Sequence, residues 1–212
     1  MSDSPKQRLP APERRGLITA AALQEFAEAG YDAASLRRIG AAAGVSRTVL
    51  YDHFPSKRAL FGSLLKETHV ALLSHLQESI EREVSMQRRI GATVEAYLAF
   101  AENEPLAWQL LYPDRPPIEP DVAADHRHCR AESNRLLAAL LAPDAKRAGI
   151  EPSSNVGQAI FSIHQAALRG AVRWWQAHPD VPREELVEAA MDVIWTGLGG
   201  LERGEAFATL RD

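Results

Sequence analysis

The stretch from Ser35 to Lys57, S-L-R-R-I-G-A-A-A-G-V-S-R-T-V-L-Y-D-H-F-P-S-K, constrains the fold more than any other part of the chain. Leu36, Ile39 and Ala43 fall at i, i+3 and i+7, which is one face of a short helix. Ser35 is placed to cap its start. Gly44 has no Cβ and can take the left-handed conformation that ends a helix. Ser46 can cap a second helix, whose Leu50 points back at the first. The small residues Gly40, Ala41, Ala42 and Ala43 let the two approach closely. The pattern predicts a helix-turn-helix with Arg47, Thr48, Tyr51 and Asp52 outward. Spacing alone fits an αα-hairpin that binds nothing equally well.

The residues around the hairpin narrow that choice. The run S-R-T-V-L-Y-D-H-F-P-S-K-R-A-L-F, following A-A-G-V, resembles the DNA-binding domain of the TetR (tetracycline repressor) family of bacterial transcription regulators. A helix expected from Arg14 to Ala29, then Gly30-Tyr31, is similar to that family too, so the resemblance covers residues 13 to 66. Gly40 stands where Ala is commoner, and Thr48-Val49 where Gly-Thr is frequent. A helix-turn-helix presents the start of its second helix to the major groove. Arg47 and Thr48 are therefore expected at base edges, with Arg47 suited to guanine, and Val49 can meet a thymine methyl. Ser35, Tyr51, His53 and Lys57 are expected on phosphates, which position without reading. Ser46 and Asp52 share that surface, Asp52 as an acceptor for a cytosine amino group or a partner for a neighbouring cation.

The net charge of −4 looks wrong for a nucleic-acid binder until it is divided. Residues 1–66 hold ten Lys/Arg against six Asp/Glu, or +4, which leaves −8 for residues 67–212. Phosphate binding needs a local basic surface rather than a basic protein. Expected domains are a flexible arm (1–12), the DNA-binding domain (13–58) and a helical ligand-binding and dimerisation domain (59–212). Lys6 and Arg8 lie in the arm, within reach of a backbone or minor groove. No stretch approaches the ~18 continuous apolar residues of a membrane helix, and the first residues lack a signal peptide's apolar segment. The single Cys129 excludes an internal disulfide and fits a reducing compartment. A cytoplasmic location follows as the expectation.

Beyond Lys57 the sequence predicts helices only, about nine in all, and no alternating strand pattern. A long helix runs from Lys57 into the 81–83 region. Others cover about 87–102, 106–112, a stretch capped by Asp121 and continuing to Leu141, 153–177 and 183–201. Pro113–Pro120 and the Pro143–Pro152 stretch read as loops. Tyr97, Phe100, Trp108, Tyr112, Phe161, His164, Gln165 and Arg169 place aromatics beside a few polar groups, the usual make-up of a small-molecule pocket. The resemblance implies that such a pocket holds a small-molecule effector, by default one that relieves repression. Each of these residues also fits plain core. In the last two helices Ile160, Ala167, Gly170 and Trp174, with Val187, Ala190, Met191, Ile194 and Leu198, form faces suited to a homodimer. A helix-turn-helix reader needs two half-sites of a palindromic operator.

Other function classes find little support. His126, His128 and Cys129 could in principle bind a soft metal, but no fourth ligand stands at a recognisable spacing. There is no G-x-S-x-G, H-E-x-x-H or G-x-x-x-x-G-K-[ST], so neither enzyme nor cofactor is expected. A helical protein-interaction scaffold is the alternative; it needs no basic head.

Overall fold

A computed structural model describes residues 10–81 and 85–202, apart from the side chains of 81 and 195–202. The described residues form nine α-helices and no strand: α1 (Ala11–Ala33), α2 (Leu36–Ala42), α3 (Arg47–His53), α4 (Lys57–Glu81), α5 (Met86–Asn103), α6 (Pro105–Leu111), α7 (Pro120–Arg147), α8 (Asn155–Gln176) and α9 (Arg183–Glu202). The all-α class and the helix count agree with the sequence. Lys6, Arg8 and the side chain of Leu198 lie outside the described residues. The described residues form two compact units, one from 10–68 with 106–129, the other from 69–81, 85–105 and 130–202.

The first unit is built around a bend. Gly30 takes φ +73° inside α1, a conformation that costs glycine nothing. The bend sets Tyr31 6.0 Å from Phe26, and both rings meet Phe61 of α4, at 5.0 and 5.1 Å with tilted or edge-on geometry. Edge-to-face rings are favoured beyond the area they bury. Ile18, Ala22 and Phe26 complete the buried face of α1, and Leu17 beside them is 44% exposed. Arg15 lies over Phe54 and donates to Ser63 and Glu67 of α4. Arg58 donates to Asp125 (2.8 Å) and Asp121 (3.0 Å) at the start of α7.

The second unit centres on α5, which buries Ile90, Thr93, Val94, Ala96, Tyr97, Leu98, Phe100 and Ala101. A helix apolar on most sides belongs inside; here α8 and α9 pack on it and on each other. Arg183 at the start of α9 is bound to Glu95 and Glu102 of α5. Buried His69 of α4 meets Ser133 of α7 through Nδ1 at 2.8 Å. Ser154 caps α8 by accepting from Gly157 N–H at 3.0 Å. That first turn lies so close to the preceding loop that a Cβ at 157 would overlap the Glu151 carbonyl oxygen.

One boundary differs from the sequence reading. Pro143 was expected in a linker, yet α7 continues through it to Arg147. Proline removes a backbone donor and crowds the preceding turn, but Arg89 braces this turn on both sides. Its Nε donates to Asp144 Oδ2 (2.7 Å), Nη2 to the Leu140 carbonyl (3.1 Å) and Nη1 to the Ile80 carbonyl (3.2 Å). The helix ends at Arg147, just beyond which Gly149 takes φ +73° and Ile150 N–H returns to the Ala145 carbonyl. The Asp144 side chain is 3% exposed, so removing Arg89 leaves a buried carboxylate with only the exposed Arg147, at 3.7 Å, for an ion pair. Arg89→Met should therefore lower stability by ~3–5 kcal/mol, and adding Asp144→Leu should recover most of it. Urea denaturation of the single and double variants measures both.

Candidate nucleic-acid interface and ligand cavity

The helix-turn-helix forms as its residues dictate. Gly44 takes φ +65°, and Val45 N–H returns to the Gly40 carbonyl at 3.0 Å to close α2. Gly40 sits where a Cβ would lie 3.4 Å from the Val45 carbonyl oxygen and 3.6 Å from Leu50, so the small residue serves the close approach of α2 and α3. Ser46 caps α3 by accepting from Val49 N–H at 3.3 Å. Ser35 stands at the N-cap position of α2, but its hydroxyl makes no cap bond. Instead its backbone N–H donates to Glu25 (2.8 Å), which also accepts from Arg38. The Arg38 hydrogen bond, more than the others, holds the Glu25 carboxyl below its usual range.

On α3, Arg47, Thr48, Tyr51 and Asp52 are exposed, while Val49 and His53 are half-buried. The Arg47 guanidinium lies 5.4 Å over the Tyr51 ring, a cation–π contact that holds a long side chain along the helix. Lys57 is placed differently from expectation. Its Nζ donates to the carbonyls of Tyr31 (2.8 Å), Ala34 (3.2 Å) and Asp32 (3.3 Å) and sits 4.4 Å from the Tyr31 ring. The cation thus closes the free carbonyl end of α1, where positive charge is favoured, and its three donors are engaged inside the protein. Burial, and next the Glu119 carboxylate, push the Tyr31 hydroxyl up to about 12, so the ring beneath the ammonium stays neutral. Among the head's cations Arg15, Arg38, Lys57 and Arg58 have internal partners. Arg37, exposed on α2, and Arg47 have no ion pair among the described residues. Sequence reasoning passed over Arg37; its place opposite buried Ile39 was the available signal.

In the second unit a cavity of about 460 Å³ is lined by α5, α7, α8, α9 and the Ile150–Pro152 loop. Of the eight residues expected around a ligand, Phe161 and His164 line it. Tyr97 and Phe100 are buried in α5, Gln165 is buried on α8 and Arg169 is half-buried. Trp108 and Tyr112 belong to the first unit, 4.4 Å apart as a ring pair. Most of the wall is aliphatic, including Ile90, Ala138, Leu141, Ile150 and Ile163, and such residues look like ordinary core in a sequence. Ile160, Ala167 and Ile194, expected in a dimer interface, also line the cavity. Met191 lies 3.8 Å from where a Cβ on Gly91 would stand, and so faces α5. Gly170 and Trp174 are exposed, Val187 and Ala190 half-buried. His126 is buried and its Nε2 lies 3.4 Å from the Leu110 carbonyl of α6, which separates it from exposed His128.

Comparison with known proteins places this head. Residues 18–64, from mid-α1 into α4, match the model of the bacterial regulatory proteins of the tetR family. This segment is similar to the DNA-binding heads of TetR-family regulators. The chain is a DNA-binding transcriptional regulator, and the relatives it matches over most of its length are transcriptional regulators. The HTH-type transcriptional activator FasR of Mycolicibacterium smegmatis is 29% identical over 195 residues, 90% of this chain and 85% of the relative. The fold matches the fatty acid degradation regulator FadR of Bacillus halodurans with a TM-score of 0.75 at 18% identity, over 92% of this chain and 98% of that one. It matches the transcriptional regulator FadR of Bacillus subtilis, solved in complex with stearoyl-CoA, with a TM-score of 0.70 at 17% identity, over 89% and 98%. No helix among the described residues is long and apolar enough to cross a membrane.

The placement of Lys57 has a direct consequence. Lys57→Met keeps the stem but removes the charge and three hydrogen bonds, and should lower stability by ~1–2 kcal/mol. Thermal melting of the variant should show a drop of several degrees.

Proposed function

We propose that this regulator binds a palindromic operator as a homodimer and represses transcription until a small, largely apolar effector enters the second unit. The observation that carries the reading head is Arg47. It stands exposed at the start of α3, braced on Tyr51, in a head whose other cations are largely engaged internally. Arg47 and Thr48 read base edges, Arg47 a guanine, with Val49 beside them for a thymine methyl. Ser35, Tyr51, His53 and the Arg37 guanidinium hold phosphates. Asp52 pairs with a cytosine amino group or a neighbouring cation, and Ser46 keeps the helix start in place.

Dimerisation is supported by α8. Val156, Ile160, Ile163, Ala167, Gly170 and Trp174 follow one another at alternating spacings of four and three, the repeat of a helix-packing seam. Of these, Val156 is 54%, Ile163 68% and Trp174 48% exposed. On α9 Val193 is 72% exposed. Two heads so joined would meet half-sites ~34–36 Å apart or a multiple of that. Stearoyl-CoA on the Bacillus subtilis FadR supports a hydrocarbon effector, as does the aliphatic wall of the cavity here. The activator FasR favours one second reading, in which the same head and cavity activate transcription; a promoter–reporter fusion with and without the regulator separates the two.

Fluorescence anisotropy on the DNA upstream of its own gene, with a salt titration and a random-sequence control, tests the reading. Specific binding should exceed random binding by about two to four orders of magnitude and weaken steeply with salt. Arg47→Ala should cost ~1–3 kcal/mol at one base pair and relax discrimination there, whereas Arg37→Ala should weaken all sequences alike. Equal losses on operator and random DNA for Arg47→Ala would remove it as a reader. Ile163→Glu sets a charge in the seam and should give a monomer by light scattering at micromolar concentration, where the parent chain is a dimer.

A further inference from the structure

The described wall of the cavity in the second unit offers a ligand one polar side chain that is both accessible and unengaged. Thr93, Asp144 and His164 are the residues with polar side chains in its described wall. Thr93 Oγ1 donates to the Arg89 carbonyl at 2.8 Å. Asp144 Oδ2 accepts from Arg89 Nε at 2.7 Å; its Oδ1 makes no hydrogen bond but is fully buried, 3.7 Å from Arg147 Nη1. Arg89 in turn has all three guanidinium nitrogens engaged, by Asp144, Ile80 and Leu140. No lysine or arginine stands in the described wall. His164 differs. It is half-buried, lines the cavity and makes no hydrogen bond among the described residues. Burial holds its ring below the usual histidine range. The neutral imidazole therefore presents one N–H donor and one nitrogen acceptor to whatever fills the space.

Charge decides what can fill it. An ionised carboxylate or phosphate in this wall would find no cation and would face Asp144, so it would lose its water without compensation. An ammonium would meet a carboxylate already neutralised by Arg89. A hydrocarbon body suits the aliphatic wall, and about 460 Å³ lies in the range of small-molecule sites. We propose that the cavity takes an uncharged, largely hydrocarbon ligand with one oxygen function, an alcohol or an ester, which His164 holds by a hydrogen bond. This rests on the effector reading above and gives the effector its chemical class. A charged headgroup on such a ligand stays outside the cavity.

Isothermal titration of the full chain with 1-dodecanol, methyl dodecanoate, dodecanoate and dodecylammonium, each below its micelle concentration, tests the class. The two neutral probes should bind at least about tenfold tighter than the two ions. An ester as tight as the alcohol identifies acyl esters as a source, and a clear preference for the alcohol identifies alkanols; both keep the class. His164→Phe should cost the neutral probes roughly five- to tenfold, and His164→Gln should recover most of that. An ion that binds as well as the neutral probes, or His164→Phe with unchanged affinity, overturns the proposal. Should His164→Phe fail to fold, the probe ranking on the parent chain and the Gln variant still decide. Operator binding without binding of any probe overturns the ligand class alone. Probe binding without DNA binding overturns the regulator reading alone.

Discussion

The placement of the recognition helix depends on one ammonium and one ring. Lys57 Nζ closes the carbonyls of Tyr31, Asp32 and Ala34, and the same cation rests on the Tyr31 ring. Tyr31 is where it is because Gly30 bends α1, and Phe61 is where it is because α4 begins at Lys57. The end of α1, the start of α4 and the aromatic cluster are therefore one mechanical unit, and α2 and α3 hang between its two ends. Hydrogen bonds to a charged donor are stronger than neutral ones, and sharing one donor group among three carbonyls fixes direction as well as distance. A residue that looks like a phosphate anchor in the sequence is what holds the reading surface in shape.

The second unit uses a comparable device at Arg89, a cation that satisfies carbonyls and one carboxylate where a helix would otherwise be weakest. Pro143 leaves α7 intact because Arg89 binds on either side of it. The carboxylate it uses, Asp144, lines the cavity. The cation and the anion that stabilise the helix thus also set the electrostatic character of the ligand space, and they leave His164 as the polar group open to it.

The sequence made the first unit legible in detail because its signals are local. Gly44, Ser46 and Leu50 act within a few residues of themselves, and the helix-turn-helix formed where they predicted. The internal contacts of Lys57 were not legible because its partners lie 23 to 26 residues away, and proximity of that kind leaves no trace in spacing. Ser35 was half-legible: the N-cap position was right, but Glu25 reaches its backbone from α1 and its hydroxyl makes no cap bond. In the second unit the helices could be read from their periods, and the amphipathic seam of α8 with them. The cavity could not. Aromatics such as Tyr97 and Phe100 draw attention in a sequence, yet a ligand space here is made by what Ile90, Leu141 and Ile163 leave unfilled. Empty volume depends on how four helices sit together, which is a property of packing rather than of any one residue.

Gly157 shows what that means for change over time. It lines the cavity, and its place beside the Glu151 carbonyl has no room for a side chain. At this edge the space is bounded by main chain meeting main chain, so substitution cannot trim or enlarge it without displacing the turn between α7 and α8. The aliphatic positions elsewhere in the wall can exchange size for size at modest cost. A lineage that drifts to a new ligand would therefore remodel one side of the chamber repeatedly and inherit the other unaltered.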